Sequence, residues 1–152
     1  MAPYRGGWAL MFRLVNVQRT QVIEGEAEVT VASFKRVGEQ AVRHFTRLTL
    51  ERDSVAFFPL AWTLVHPITE ESPLRQVTPE GLSAAETKVM VSIRGLDDAV
   101  YDAMRARTSY QTGEIRWHER FSDLYVRRPG CPVTIDVRRL SGTVPTGKGT
   151  TA

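Results

Sequence analysis

Three glutamates at a spacing of two, Glu24, Glu26 and Glu28, are the first residues here that could do chemistry together. They alternate with Ile23, Gly25, Ala27, Val29 and Val31. A period of two puts the apolar set on one face of a strand and the carboxylates on the other. Such a row attracts cations, and it is also what an ordinary solvated strand face looks like. The remaining reactive types are scattered. His44, His66 and His118 lack metal-ligand spacing, and Cys131 stands alone, which excludes a zinc site and an intrachain disulfide. No glycine-rich phosphate loop and no nucleophile elbow occurs. The reading is therefore non-enzymatic, with no catalytic residue, no metal ligand and no cofactor.

The elements that must carry these residues are mostly strands. Val89, Val91 and Ile93 repeat the alternation, as do Val133, Ile135 and Val137. Residues 10–17, 44–50, 57–65, 100–107 and 117–126 are further candidate strands. One short helix is expected, capped by Thr78 with Pro79 at its first position and Leu82, Ala84 and Ala85 following. Many short strands between turn residues predict an antiparallel β-sandwich. Residues 1–8, with Pro3, Gly6 and Gly7, read as a linker. Residues 9–140 read as the domain, and 141–152, rich in Gly and Thr, as a disordered tail. Trp8, Trp62 and Trp117 could make an aromatic binding surface, but core or interface packing is the favoured reading.

Composition limits the partners. The 152 residues hold 20 basic and 17 acidic side chains, a net charge of +3. That excess, without a dense Lys/Arg block, does not point to nucleic acid. The longest apolar run, about eleven residues from Val55 to Val65, is broken by Pro59. It is too short for a membrane helix, which needs about 20 residues. No apolar signal segment opens the chain, so a soluble cytoplasmic domain is expected.

Several segments together are more specific. Leu10-Met11-Phe12-Arg13, Asn16 and Val22-Ile23-Glu24 are followed by Ser72-Pro73-Leu74, Arg107-Thr108-Ser109-Tyr110 and Glu114-Ile115-Arg116-Trp117. In order and spacing they resemble the cytoplasmic domain of inward-rectifier potassium channels. Residues 2–7 and 62–68 are similar to the prokaryotic members in particular. The resemblance covers roughly residues 3 to 140. It implies an immunoglobulin-like sandwich that assembles as a homotetramer around a four-fold axis. It also implies a transmembrane pore domain of the same protein upstream and a place at the cytoplasmic face of the inner membrane.

The resemblance implies roles for named residues. Glu24 matches an acidic vestibule position that gathers potassium and, in strong rectifiers, magnesium or polyamine blockers, and Glu26 is a further candidate for that vestibule. Gly95, Leu96 and Tyr101 match the loop that narrows the cytoplasmic pore, and Asp98 and Arg107 match charges that brace it. Arg5, Arg13 and Arg19 are the candidates for anionic lipid headgroups. Three positions depart from the pattern: Arg94 stands where rectifying channels carry a second acid, His118 where a glycine is usual, and Gln18 where a base is common. The alternative reading is a stand-alone immunoglobulin-like interaction module without a pore.

Overall fold

The computed structural model describes residues 1–147. The chain opens with a hairpin of β1 (Ala2–Tyr4) and β2 (Gly7–Val15), followed by the long β3 (Val22–Val37) and then β4 (Gln40–Leu48). β5 (Ser54–Phe57) and β6 (Ala61–Ile68) flank Pro59, which splits the expected strand of residues 57–65. After helix α1 (Pro79–Ala84) come β7 (Lys88–Asp97) and β8 (Ala103–Gln111). Four short strands finish the chain: β9 (Glu119–Phe121), β10 (Tyr125–Val126), β11 (Thr134–Ile135) and β12 (Thr143–Pro145).

All pairings are antiparallel. One sheet has the order β1-β2-β6; the larger has the order β4-β3-β7-β8, with β5 also paired to β3. Their inner faces form a single core. Leu10 and Phe12 of β2 and Trp62 and Leu64 of β6 pack with Ala27, Val29 and Val31 of β3 and with Val89 and Val91 of β7. Leu64 is fully buried, and such a leucine contributes about 1.5–3 kcal/mol by leaving water. The chain is thus all-β with one short helix, as expected. Thr78 caps that helix by accepting from the Gly81 N–H at 3.1 Å, and Leu82 anchors it in the core.

Among the described residues three polar side chains lie inside: His66, Ser72 and Thr87. His66 is buried, with Nδ1 2.7 Å from the Thr49 carbonyl and Nε2 2.7 Å from the Ser72 hydroxyl. Ser72 Oγ in turn accepts from the Leu74 N–H at 3.1 Å. Both ring nitrogens of His66 are thus partnered, as burial requires, whereas the buried Trp62 indole N–H has no acceptor among the described residues. The bridge pins the Ser72-Pro73-Leu74 turn beneath β6.

Three expectations about order need correction. Residues 1–8 are not a linker: Met1 and Ala2 are buried, and Arg5 and Gly6, both at positive φ, make the tight turn of the β1–β2 hairpin. The tail is not wholly irregular, because Thr143–Pro145 pairs with β9; residues 148–152 lie outside the described residues. Of Val133, Ile135 and Val137, only Ile135 is in a strand, and Val137 begins a 3-10 turn. The tryptophans share no surface: Trp62 is in the core, Trp117 packs against it, and Trp8 meets His118 edge-on at 5.0 Å.

The outer strands of the larger sheet are thinly covered. Nearly every residue of β4 and β8 is exposed. Phe45 remains 63% exposed on β4.

Candidate functional site: the bulge, hairpin tip and charged face of the larger sheet

The alternation in β3 holds from Gly25 to Val31 and fails just before it. Ile23 faces Leu96 while Glu26 faces Arg94, so β3 carries one extra residue there. This is a β-bulge, a device that re-aims a side chain and kinks the strand. Glu24 sits in the bulge at φ +49°. That left-handed conformation is costly for a residue that is not glycine, about 1–3 kcal/mol, and such positions cluster at functional sites. The bulge also swaps the inward residue, so Val22 is buried and Ile23 only half-buried. Glu24 is exposed like Glu26 and Glu28, but it sits inside the bulge while they pair in the regular ladder with β7. Gly95 lies against the bulge: a Cβ there would stand 2.8 Å from Val22 Cγ1 and 3.0 Å from the Ile23 carbonyl oxygen.

β7 and β8 continue beyond the bulge to a turn at residues 98–102. Leu96, half-buried, pairs with Ala103 at its base. Tyr101 sits at φ +57° with 70% of its surface exposed, and Val100 beside it is similarly bare. The brace of this turn is Asp97, a residue the sequence reading missed. Its carboxylate accepts from Thr20 Oγ1 at 2.5 Å and from the Ala99 N–H at 2.8 Å. Its backbone bonds Tyr101 and Asp102, and the neighbouring Asp98 N–H reaches the Gln21 carbonyl at 2.9 Å. The Asn16–Thr20 bend is thereby tied to the hairpin. An aspartate at the end of a strand is an Asx-turn signal, so Asp97 was discoverable.

The Thr20 hydroxyl, then the Ala99 N–H, hold the Asp97 carboxyl below its ordinary value. Because the folded value is depressed, the contribution is complete above the unfolded pKa of about 3.9 and is lost as pH falls through the folded value. The amide resonances of Ala99 and Val100 should therefore move together at a pH below about 4. In Asp97→Ala that titration should vanish and both amides should exchange faster at neutral pH.

The outward face of the larger sheet is densely charged. Cα partners in directly opposed positions share a face, which gives one row of Arg105, Arg94 and Glu26 and a second of Arg107, Ser92 and Glu28. Arg94 is ion-paired and hydrogen-bonded to Glu26, and Arg47 lies 3.6 Å from Glu28. Glu24 has no such partner among the described residues. The expected Asp98–Arg107 brace does not form within the chain. Ala103 pairs at the base of the turn and Arg107 lies four positions further along β8, roughly 13 Å away at about 3.3 Å per residue.

The three basic candidates part company. Arg13 is consumed internally: Nη1 donates to the Ser122 carbonyl at 2.5 Å, Nη2 to Arg139 at 2.7 Å and Leu140 at 2.8 Å. Its guanidinium also stacks on Phe121 at 4.4 Å. It ties the C-terminal strands to β2 and is not available to a headgroup. Arg5 is exposed, 3.4 Å from Glu51 and over the Tyr4 ring. Arg19 is exposed in the bend beside Val17.

The family model for the inward rectifier potassium channel C-terminal domain matches residues 3–150. The chain belongs to this family. Inward rectifier potassium channel Kirbac3.1 of Paramagnetospirillum magnetotacticum is 32% identical over 141 residues, 92% of this chain and 48% of that protein. ATP-sensitive inward rectifier potassium channel 8 of Homo sapiens is 24% identical over 149 residues, 95% of this chain and 35% of that protein. G protein-activated inward rectifier potassium channel 2 of Rattus norvegicus is 23% identical over 130 residues, 82% of this chain and 31% of that protein. The chain thus spans about half the length of the bacterial relative and about a third of the mammalian ones. Among its described residues no helix is long and apolar enough to cross a membrane. As an inward rectifier C-terminal domain it carries its charged groups on sheet faces and at turns, and no group of three or more His, Cys, Asp or Glu converges as a metal site among the described residues.

Proposed function

We propose that this chain is the gating and ion-vestibule domain of a tetrameric inward-rectifier potassium channel, acting at the cytoplasmic face beneath a transmembrane pore. The observation that supports it most is the close packing of Gly95 against the bulge that holds Glu24, at the base of an exposed hairpin. The bulge sets exposed Glu24 at the base of the hairpin that bears Leu96 and Tyr101. Four copies around an axis would give four unpaired Glu24 carboxylates, and a ring of like charge raises the local cation concentration. Glu26 contributes less to that field because Arg94 neutralises it. Potassium passes through such a vestibule; magnesium and polyamines are held weakly for the same reason. Arg19, with Val17 beside it, is the remaining candidate for an anionic headgroup, and its bend reaches the hairpin through Thr20 and Asp97.

Light scattering of the purified chain across a wide concentration range tests the assembly. A tetramer, or a monomer shifting to tetramer, is expected. In liposomes holding this domain joined to the transmembrane half of the Paramagnetospirillum relative, Glu24→Lys should lower potassium flux severalfold, and unchanged flux would remove Glu24 from the vestibule. A stand-alone interaction module is the second reading. The pairing of Glu26 and Glu28 with arginines favours it, since a neutralised face concentrates few cations. A chain that stays monomeric at every concentration would support it.

A further inference from the structure

The charged face has a cationic surplus. A groove of about 470 Å³ is lined by Arg47, Arg94, Arg105, Arg107, Glu26 and Glu28, together with Ser92. Both glutamates are already engaged, Glu26 by Arg94 and Glu28 by Arg47. Arg105 and Arg107 have no acidic partner among the described residues. Arg105 is directly opposite Arg94 in the ladder, an arrangement of like charges that destabilises a sheet unless a counter-charge lies between them. Arg107 is directly opposite Ser92, so a hydroxyl-bearing residue shares the face with the arginines.

From this geometry we infer that the groove binds a soluble oligophosphate, held between Arg94, Arg105 and Arg107 with Ser92 as a further donor. Arginine suits that ligand because its planar fork meets phosphate oxygens two at a time. Arg105 and Arg107 lie on one face of β8, about 6.6–6.8 Å apart along the strand, so their charges are matched by a chain of phosphates rather than by one carboxylate. No aromatic side chain lines the groove, so nothing grips a nucleobase. Recognition is of the phosphate chain, and inorganic tripolyphosphate and a nucleoside triphosphate bind alike. The site lies within a single copy of the chain and does not depend on assembly.

Calorimetric titration of the purified chain with sodium tripolyphosphate, at matched ionic strength against sodium sulfate, tests this. Saturable binding of one tripolyphosphate per chain is expected, with sulfate at least tenfold weaker. Arg105→Gln/Arg107→Gln should weaken tripolyphosphate binding at least tenfold, while Arg36→Gln/Arg75→Gln, which removes the same charge elsewhere on the surface, should leave it within twofold. Circular dichroism of both variants guards against misfolding. Equal loss in the two variants would show that only the net charge of +3 attracts the anion, and would overturn the site. So would binding of spermine in place of tripolyphosphate, or sedimentation with vesicles containing a phosphoinositide in the absence of tripolyphosphate binding.

Discussion

Arg13→Ala is expected to release the C-terminal strands from the sandwich at a cost of about 3 kcal/mol. Hydrogen bonds from a charged donor each contribute about 1.5–3 kcal/mol net, and they do not add. Arg13 makes several at once, to the carbonyls of Ser122, Arg139, Leu140 and Gly142. Those carbonyls close the 3-10 turn at Val137–Arg139 and lead into β12. Without the guanidinium the Arg139 and Gly142 carbonyls keep only their backbone donors, the N–H groups of Gly142 and Ser122, the Ser122 and Leu140 carbonyls lose their charged donor, and the stack on Phe121 is lost as well. The thermal midpoint should fall by about 6–12 °C for a domain of this size. Proteolysis should then cut first between β10 and β12. Arg13→Lys should recover little, because one ammonium cannot span carbonyls on three sides. A melting curve within 2 °C of the parent for Arg13→Ala would return Arg13 to the pool of lipid candidates.

Gly95→Val is expected to cost about 2–3 kcal/mol, the upper part of the usual range for overpacking. Nothing in the Gly95 φ angle calls for glycine; the close approach does. A Cβ would stand 2.8 Å from Val22 Cγ1, and 3.0 Å from the Ile23 carbonyl oxygen, which is main chain and cannot rotate away. Replacing glycine in a strand ordinarily stabilises, because the unfolded chain loses freedom. Here the sign reverses, and Gly95→Ala should already destabilise. Denaturant midpoints for both variants check the order, with valine lower than alanine and alanine lower than the parent. An alanine variant at or above the parent would mean that the bulge yields easily, and Glu24 would then not be held in place by it.

Long alternations were readable because period two carries burial directly. Val29, Val31, Val89 and Val91 were legible as core, and Thr78-Pro79 as a helix start. Family motifs led to Gly95 and Glu24, although neither the bulge nor the clash that explains Gly95 could be seen in them. A bulge adds one residue without altering composition, so Ile23 looked like the inward residue although Val22 is the one that is buried. β1 and β12 were missed because three-residue strands hold too little pattern, and Gly6-Gly7 resembles a linker as much as a turn. Arg13 gave no signal at all: its partners are backbone carbonyls about 110 to 130 residues away, and a carbonyl has no letter in a sequence. The Asp98–Arg107 pair failed for a related reason, since ladder register decides which charges meet.

The two bare outer strands have a separate consequence. β4 and β8 each leave a row of unpaired N–H and C=O groups, an open template on which another copy could extend the ladder. Both edges are guarded by charge: Arg43 and Arg47 on β4, Arg105 and Arg107 on β8. Repulsion between exposed charges reaches only about 8 Å at physiological ionic strength and shrinks as salt rises. The solubility of this domain is therefore set less by its core than by its salt environment. The conditions that quiet its arginines are the ones under which β4 and β8 would start to seed aggregates.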